Sequence, residues 1–295
     1  MESKVNENNI PLQKIEAHFL DEKKVELFIL REDLIHPTIS GNKWRKLKYN
    51  IVSAKEKGFE TIVTFGGAFS NHIAATSAAG KAFGLKTIGI IRGDEVSNTT
   101  LDLAIENGME LNFVSREDYK LKDARDYPNC YIIPEGGSNT LAVKGCSEIV
   151  NNIHIDYDVI CCACGTGGTI AGIISSTSKQ VLGFPALKGG EFLREDIKCL
   201  LTEYNEEQHC CNWDLITDYH FGGYAKLKQE LIDFIKEFKS KNNILLDFVY
   251  TGKMLFGLYD MVKNTSQLDG KRIVVVHTGG IQGNKGFEER FGITI

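Results

Sequence analysis

A lysine lies at the start of a helical pattern in the segment Ser40-Gly41-Asn42-Lys43-Trp44-Arg45-Lys46. Apolar residues follow at three- and four-residue steps, namely Leu47, Ile51, Val52 and Ala54, which is typical of a helix beginning near Lys43. The positive end of the helix dipole, with neighbouring Arg45 and Lys46, would disfavour an ammonium and lower the pKa of Lys43. A lysine that is neutral near pH 7 is a nucleophile suited to Schiff-base chemistry with an aldehyde cofactor. On this segment alone, a solvated basic helix start is the simpler alternative.

A glycine loop, Cys164-Gly165-Thr166-Gly167-Gly168-Thr169, lies between a predicted strand and a predicted helix. Glycines let the backbone approach an anion, and the N–H groups at the helix start together with two hydroxyls could hold a phosphate. The spacing matches neither the dinucleotide motif nor the nucleoside triphosphate motif, so a monophosphate is favoured. The alternative is a tight strand–helix turn that binds no ligand.

A second possible anion site is Gly66-Gly67-Ala68-Phe69-Ser70-Asn71-His72, which also joins a strand to a helix. Ser70 or Asn71 can cap this helix, and capping alone would explain both residues. The same helix start, with its N–H groups, a hydroxyl and an amide, also suits a substrate carboxylate. His72 is a polar residue at the helix start whose role the sequence leaves open.

Three later segments carry polar or aromatic residues beside glycine, namely Phe221-Gly222-Gly223-Tyr224, Tyr250-Thr251-Gly252-Lys253 and Val274-Val275-Val276-His277-Thr278-Gly279-Gly280. The third ends an apolar strand in a polar turn. Residues at the carboxyl ends of strands in an open α/β sheet line its ligand crevice. Tyr224, Tyr250 and Thr278 are therefore candidate site residues.

The elements that must position these residues alternate between strand and helix along the chain. Helices are predicted around 44–56, 70–83, 98–107, 142–151, from 169, and around 191–201, 225–240 and 253–263, with apolar strands between them. Such alternation predicts βαβ units and parallel sheets. The expected fold is α/β, with two open-sheet domains. Residues 48–136 are predicted to form the smaller domain, and residues 1–47 with 137–295 the larger.

The order of these features resembles a known superfamily. A lysine after Gly-Asn, a Ser-Asn helix start, a GTGGT loop and a final HTGG turn are found in tryptophan-synthase-β-like, fold type II pyridoxal-phosphate enzymes. The segments REDL…SGNKWRKLKYN, FGGAFSNHIAATSAAG, IPEGGSN and VYTGKM are more closely similar to the branch containing D-cysteine desulfhydrases and 1-aminocyclopropane-1-carboxylate (ACC) deaminases. The similarity covers nearly the whole chain and implies pyridoxal 5'-phosphate in the cleft between the two domains.

The resemblance also implies roles for residues that bind the cofactor. Lys43 matches the lysine that forms the Schiff base, and Asn71 matches the asparagine that hydrogen-bonds the ring hydroxyl. Gly165, Thr166, Gly167, Gly168 and Thr169 match the phosphate-binding loop. Thr278 matches the residue that faces the pyridine nitrogen.

Other matches concern the substrate. Ser70 matches the serine beside the substrate, and Tyr224 and Tyr250 match the two active-site tyrosines, so Lys43, Ser70 and the tyrosines form the predicted catalytic set. Ser70, Asn71 and His72 form the predicted substrate-binding set. His72 stands where many members carry glutamine, which puts its contact with the substrate carboxylate in doubt.

The implied activity is α,β-elimination of D-cysteine, or of a related small D-amino acid, to pyruvate, sulfide and ammonia. ACC deamination to 2-oxobutanoate and ammonia is one alternative, and a non-catalytic pyridoxal-phosphate-binding protein is another. Members resembling ACC deaminases carry glutamate where Thr251 stands and leucine where Thr278 stands. The two threonines therefore favour the desulfhydrase.

Composition limits the remaining classes of partner. The 295 residues have a formal net charge of −5 with acids and bases interspersed, so neither a nucleic-acid partner nor a membrane-facing basic stripe is expected. No apolar run approaches the roughly 20 residues of a membrane-spanning helix, and the polar N-terminus does not resemble a secretory signal. We expect a cytoplasmic homodimer.

Two cysteine clusters need interpretation. Cys161, Cys162 and Cys164 lie in an apolar run, where a buried strand would carry them as small hydrophobic residues. His209-Cys210-Cys211 looks more like a ligand set, but no second spaced pair completes a tetrahedral site. No metal is expected at either cluster.

Overall fold

Alternating strands and helices build two separate sheets. The computed structural model describes residues 5–205, 211–224 and 226–295. Its strands are, in chain order, β1 (Leu12–Ile15), β2 (Glu26–Leu30), β3 (Thr61–Gly67), β4 (Lys86–Arg92), β5 (Met109–Val114), β6 (Tyr131–Ile133), β7 (Val159–Cys164), β8 (Gln180–Pro185), β9 (Trp213–Leu215) and β10 (Arg272–Val276).

The α-helices of the described residues surround these sheets. They are α1 (His18–Glu22), α2 (Asn42–Glu56), α3 (Asn71–Phe83), α4 (Thr99–Glu106), α5 (Arg116–Leu121), α6 (Thr140–Ser147), α7 (Gly168–Ile174), α8 (Leu193–Tyr204), α9 (Gln229–Asn242), α10 (Thr251–Asn264) and α11 (Asn284–Phe291).

The larger sheet has the strand order β1-β2-β10-β7-β8-β9, and the smaller sheet has the order β5-β4-β3-β6. All strand pairs are parallel except β1 with β2. Parallel strands point their carboxyl ends to the same edge of a sheet, and the loops that follow them gather there. The α/β architecture with two open sheets is therefore confirmed.

The central strands of the larger sheet are covered on both faces. Along β7, Cys162 and Cys164 pack into one hydrophobic cluster, while Cys161 packs into the cluster on the opposite face. All three are at most 2% exposed. Their predicted role as small core residues is confirmed. Cys211 is also buried, whereas His209 and Cys210 lie outside the described residues.

Several elements differ from the sequence prediction. The helix predicted over 225–240 begins at Gln229, and α2 begins at Asn42, two residues early. Short elements with little periodicity were not predicted, namely β1, α1, α5, β9 and α11. The division of the chain at residues 48 and 136 stays a prediction, although the smaller sheet is built from residues 61–133.

Candidate active site

A cavity of about 490 Å³ lies at the carboxyl ends of the parallel strands. The loops after β3, β7 and β10 all contribute to its wall. Every residue of the predicted site lines it except Gly168, which is buried behind it. The structure therefore brings together groups that are up to 235 residues apart in sequence, from Lys43 to Thr278.

Lys43 is the second residue of α2, and the end of β10 fixes this helix start. Gly41 has φ +62°, and a Cβ on it would overlap the carbonyl of Thr278, so only glycine fits there. The backbone N–H of Asn42 donates to the same carbonyl at 3.2 Å. Burial, followed by the charge of Lys46, lowers the pKa of Lys43 to about 7. A substantial fraction of this amine is therefore neutral at physiological pH.

The cause of the lowered pKa differs in part from the sequence argument. Arg45 does not act on Lys43, because its side chain is buried and pairs with the carboxylate of Glu32, with 2.9 Å between Nη2 and Oε1. Lys46 faces the cavity and contributes as predicted. Burial is the largest cause, and it depends on tertiary packing.

The glycine loop forms a cradle whose polar groups converge. Lys46 Nζ donates to the carbonyl of Gly136 at 2.8 Å, to Ser138 Oγ at 3.1 Å and to Thr166 Oγ1 at 3.3 Å. A Cβ on Gly168 would lie 2.8 Å from Ser138 Oγ and 3.2 Å from Lys46 Nζ. Burial lowers the pKa of Lys46, and a phosphate beside it would favour the protonated amine. This amine, two hydroxyls and the start of α7 are a suitable donor set for a phosphate group.

Lys46 and Ser138 were not predicted as site residues. Lys46 lies three residues after Lys43, and this spacing places both side chains on one face of α2, a signal that was available in the sequence. Ser138 gave no such signal, because it reaches the cradle only through the loop after β6. Asn42 was also missed, and its Nδ2 donates to Thr169 Oγ1 at 2.8 Å, joining the two helix starts.

The start of α3 presents donors to the same cavity. Ser70 is the N-cap, and its Oγ accepts the backbone N–H of Ile73 at 3.3 Å, which leaves the hydroxyl proton available. Asn71 Oδ1 accepts from Gln282 Nε2 at 3.2 Å, which leaves the Asn71 amide N–H groups to donate. The first N–H groups of a helix have no partner within the helix. This helix start can therefore hold a carboxylate.

His72 is buried, and its neighbours fix its tautomer. Thr64 Oγ1 donates its one proton to the carbonyl of Ile133 at 2.9 Å, so it must accept from His72 Nε2 at 2.8 Å. Burial, with smaller contributions from Lys43 and Lys46, lowers the pKa of His72 well below its ordinary value. The neutral ring thus has a bare Nδ1, which has no hydrogen-bond partner in the described part of the chain. Nδ1 can accept a hydrogen bond but cannot donate one to a carboxylate.

Two tyrosines meet at the cavity wall. The rings of Tyr224 and Tyr250 are nearly perpendicular, with centroids 5.8 Å apart. Burial raises the pKa of Tyr224 and raises that of Tyr250 well above the usual phenol value. Both hydroxyls therefore keep their protons at neutral pH and can act as proton donors.

A buried lysine holds the loop that carries Tyr224. Lys253 Nζ donates to the carbonyls of Gly223 at 2.7 Å and His220 at 3.0 Å. Lys253 lies one turn after Tyr250 on α10, so it ties the loop of one tyrosine to the helix of the other. The loop itself needs left-handed backbone at Phe221 (φ 54°), which is uncommon for a residue with a side chain.

Thr251 and Thr278, which favoured the desulfhydrase in the sequence analysis, differ in their position relative to the cavity. Thr278 follows β10, is buried and lines the cavity. Thr251 is the first residue of α10 and is absent from the cavity wall of the described residues. Its hydroxyl donates to Asp247 Oδ1 at 2.6 Å. Only Thr278 is therefore placed to meet a ligand.

The cavity thus combines a lysine whose pKa is lowered, a convergent set of donors at the glycine loop, a helix start with free donors and two phenols that keep their protons. A group with a phosphate and an aldehyde fits these residues, because the cradle and Lys43 supply one partner for each. A family model described as "Pyridoxal-phosphate dependent enzyme" matches residues 5–279. The chain belongs to this family, and pyridoxal phosphate is its cofactor.

Curated relatives define the branch. The chain is 33% identical over 282 residues to the "Putative 1-aminocyclopropane-1-carboxylate deaminase" of Thermotoga maritima, covering 87% of this chain and 89% of the relative. It is 30% identical over 292 residues to the "Bifunctional D-cysteine desulfhydrase/1-aminocyclopropane-1-carboxylate deaminase, mitochondrial" of Arabidopsis thaliana, covering 88% of this chain and 73% of the relative. The protein is a pyridoxal-phosphate-dependent lyase or deaminase of the ACC deaminase and D-cysteine desulfhydrase family. The non-catalytic alternative is set aside.

A solved structure supports the same branch. The crystal structure of an ACC deaminase homologue superposes with a TM-score of 0.85 at 29% identity and covers 98% of this chain and 95% of that chain. A serine racemase from Dictyostelium discoideum has a TM-score of 0.67 at 17% identity and shows the shared fold alone. Among the described residues, none of the helices is both long and apolar enough to cross a membrane.

Proposed function

We propose that the protein catalyses α,β-elimination of D-cysteine, or of a related small D-amino acid, to pyruvate, sulfide and ammonia. Thr278 is the observation that favours this reaction. Members that resemble ACC deaminases carry leucine at this position, whereas desulfhydrase-like members carry a hydroxyl, as this chain does. Thr278 lines the cavity, so its hydroxyl can meet the cofactor or the substrate. This hydroxyl therefore favours the desulfhydrase reaction.

The other side chains have separate roles in this reaction. Pyridoxal phosphate, when bound, would stabilise the negative charge that develops on the substrate Cα. Lys43, with a pKa of about 7, can accept the Cα proton. Tyr224 and Tyr250 keep their protons at neutral pH and can protonate the departing sulfur. Ser70 and Asn71 can hold the substrate carboxylate through their free donors.

ACC deamination is the second candidate. It is supported by the names of the relatives, since the protein from Thermotoga maritima carries ACC deaminase in its name and the Arabidopsis protein carries both activities. Thr251 no longer contributes to the choice between the two, because its hydroxyl is engaged with Asp247. The homodimer and the cytoplasmic location stay predictions.

Substrate screening separates the two reactions. We expect the purified enzyme to release sulfide and pyruvate from D-cysteine, with little turnover of L-cysteine and negligible 2-oxobutanoate from ACC. Sulfide is measured by methylene blue formation and keto acids by coupled reduction. ACC turnover equal to or faster than that of D-cysteine would overturn the choice while leaving the family unchanged.

Replacing Ser70 by alanine tests the carboxylate site. One hydrogen bond to a charged group contributes about 1.5–3 kcal/mol, so we expect kcat/KM to fall roughly tenfold or more while the cofactor stays bound. The loss of the N-cap also costs about 1 kcal/mol of stability.

Ser115→Ala is the matched control for Ser70→Ala, because Ser115 caps α5 through the N–H of Asp118 and is not part of the cavity wall of the described residues. It should lower stability similarly without changing kcat/KM. Equal kinetics in the two variants would mean that Ser70 is only a cap.

A further inference from the structure

Three arginines lie at the cavity wall, and we call Arg92, Arg116 and Arg290 the arginine rim. Arg92 ends β4 and Arg116 begins α5. In the sheet register Arg92 stands beside Val114, the last residue of β5, two residues before Arg116. Two of the three guanidinium groups therefore come from adjacent carboxyl strand ends of the smaller sheet.

The third arginine reaches the cavity from the end of the chain. Arg290 lies on α11, four residues after Gly286, and residues four apart share one face of a helix. A Cβ on Gly286 would lie 3.4 Å from the ring of Phe69, in the loop before α3. The face of α11 that carries Arg290 is therefore packed against the loop leading to Ser70.

The charge of the cavity is unbalanced. Among the described residues, none of the arginine rim forms an ion pair within 4.0 Å, and Glu135 is the one carboxylate in the cavity wall. Glu135 is already paired with Lys122 at 2.6 Å. The arginine rim brings three positive charges to the wall, whereas burial lowers the pKa of Lys43 and of Lys46. The cavity wall therefore has an excess of positive charge, although the net charge of the whole chain is −5.

The anions already assigned do not use the arginine rim. The cofactor phosphate fits the cradle at Lys46 and the start of α7, and the substrate carboxylate fits the start of α3. Arg92 Cζ lies 5.4 Å from the ring centroid of Tyr119, and Arg290 Cζ lies 5.1 Å from that of Phe291. Neither contact neutralises the charge, and guanidinium groups without a carboxylate partner at a cleft attract a further anion and raise its local concentration. We propose that the arginine rim binds an oxyanion on the substrate Cβ, so that the enzyme, besides acting on D-cysteine, eliminates phosphate from a three-carbon amino acid with a phosphate ester there, such as O-phosphoserine. This inference rests on the proposed elimination chemistry.

The reaction balances without an oxidant or a further reactant besides water. A base accepts the Cα proton, the Cβ–O bond breaks, and its electron pair leaves with inorganic phosphate. The remaining enamine takes up water to give pyruvate and ammonium. Guanidinium groups at the leaving oxyanion would stabilise the charge that grows on it, so they affect kcat as well as KM.

The test compares two substrates that differ in the charge of the leaving group. The first substrate is O-phospho-D-serine, whose leaving group is an anion, and O-phospho-L-serine is tested beside it to compare the two stereoisomers. The second substrate is β-chloro-D-alanine, whose leaving group has no charge in the ground state. For Arg116→Gln and Arg290→Gln holoenzymes, we expect the ratio of kcat/KM for phosphoserine to that for chloroalanine to fall at least tenfold. The uncleavable D-2-amino-3-phosphonopropionate should bind at least tenfold more weakly by calorimetry.

Arg125→Gln is the matched control, because Arg125 is exposed and pairs with Asp123; its ratio should equal that of the wild type. An unchanged ratio in the rim variants, or turnover of β-chloro-D-alanine without turnover of either phosphoserine, would overturn the arginine-rim proposal alone. If the enzyme turns over none of D-cysteine, ACC, β-chloro-D-alanine and the two phosphoserines, the proposed function is overturned together with the arginine-rim proposal.

Discussion

Replacing Lys43 by alanine is expected to lower kcat by roughly a thousandfold or more, since a positioned base alone contributes about 10²–10⁴ and the amine that attaches the cofactor is lost with it. Borohydride reduction of the wild-type holoenzyme should fix the cofactor to the peptide that contains Lys43. Lys55→Ala is the matched control, because Lys55 is exposed on the same helix. Labelling of another lysine, or retained turnover in Lys43→Ala, would refute the role of Lys43.

The lowered pKa of Lys43 allows a second test of its role, by the pH dependence of cofactor binding. Only the neutral amine attacks an aldehyde, and burial together with Lys46 lowers the pKa of Lys43 to about 7. Uptake of pyridoxal phosphate by the apoprotein should therefore accelerate as pH rises, with a midpoint about 7. An ordinary exposed lysine would place the midpoint about 10.4.

Replacing Gly168 by valine is expected to weaken pyridoxal phosphate binding by about a hundredfold. The new side chain would overlap Ser138 Oγ and Lys46 Nζ and displace both donors from the positions in which they can bind the phosphate. Losing two charge-assisted hydrogen bonds at about 1.5 kcal/mol each corresponds to that factor. Fluorescence titration of the apoprotein measures the affinity, and activity should recover as the cofactor concentration is raised.

The same variant must be separated from a general loss of folding. Gly168 does not have left-handed backbone, so valine can adopt its φ without strain there. Thermal unfolding of the apoprotein should therefore change less than that of the holoprotein. Wild-type cofactor affinity in Gly168→Val would show that the phosphate lies elsewhere.

Much of the site could be predicted because its geometry follows from strand direction. The loops after β7 and β10 follow neighbouring parallel strands of one sheet, so the glycine loop and Thr278 must lie at the same edge. The loop after β3 belongs to the other sheet, and it was the family resemblance that placed Ser70 beside them. Lys43 joined them because its helix starts against the end of β10.

The remaining features depend on contacts between distant segments. Arg45 looked like a charged neighbour of Lys43, but its partner is Glu32, which sequence spacing does not reveal. The sequence left the role of His72 open, because the contacts with Thr64 and Ile133 that fix its proton on Nε2 come from distant strands. Short elements such as β9 and α11 have too few residues for a periodic signal, and α11 carries Arg290.

The packing of thiols around β7 has a consequence for the durability of the enzyme. Burial raises the pKa of Cys146 to about 12 and raises that of Cys161 further above the ordinary thiol value. The thiolate is the reactive form of cysteine, so these two side chains remain protonated and inert to oxidants and electrophiles at neutral pH. The core beneath the glycine loop can thus contain these two thiols without placing a reactive thiolate there.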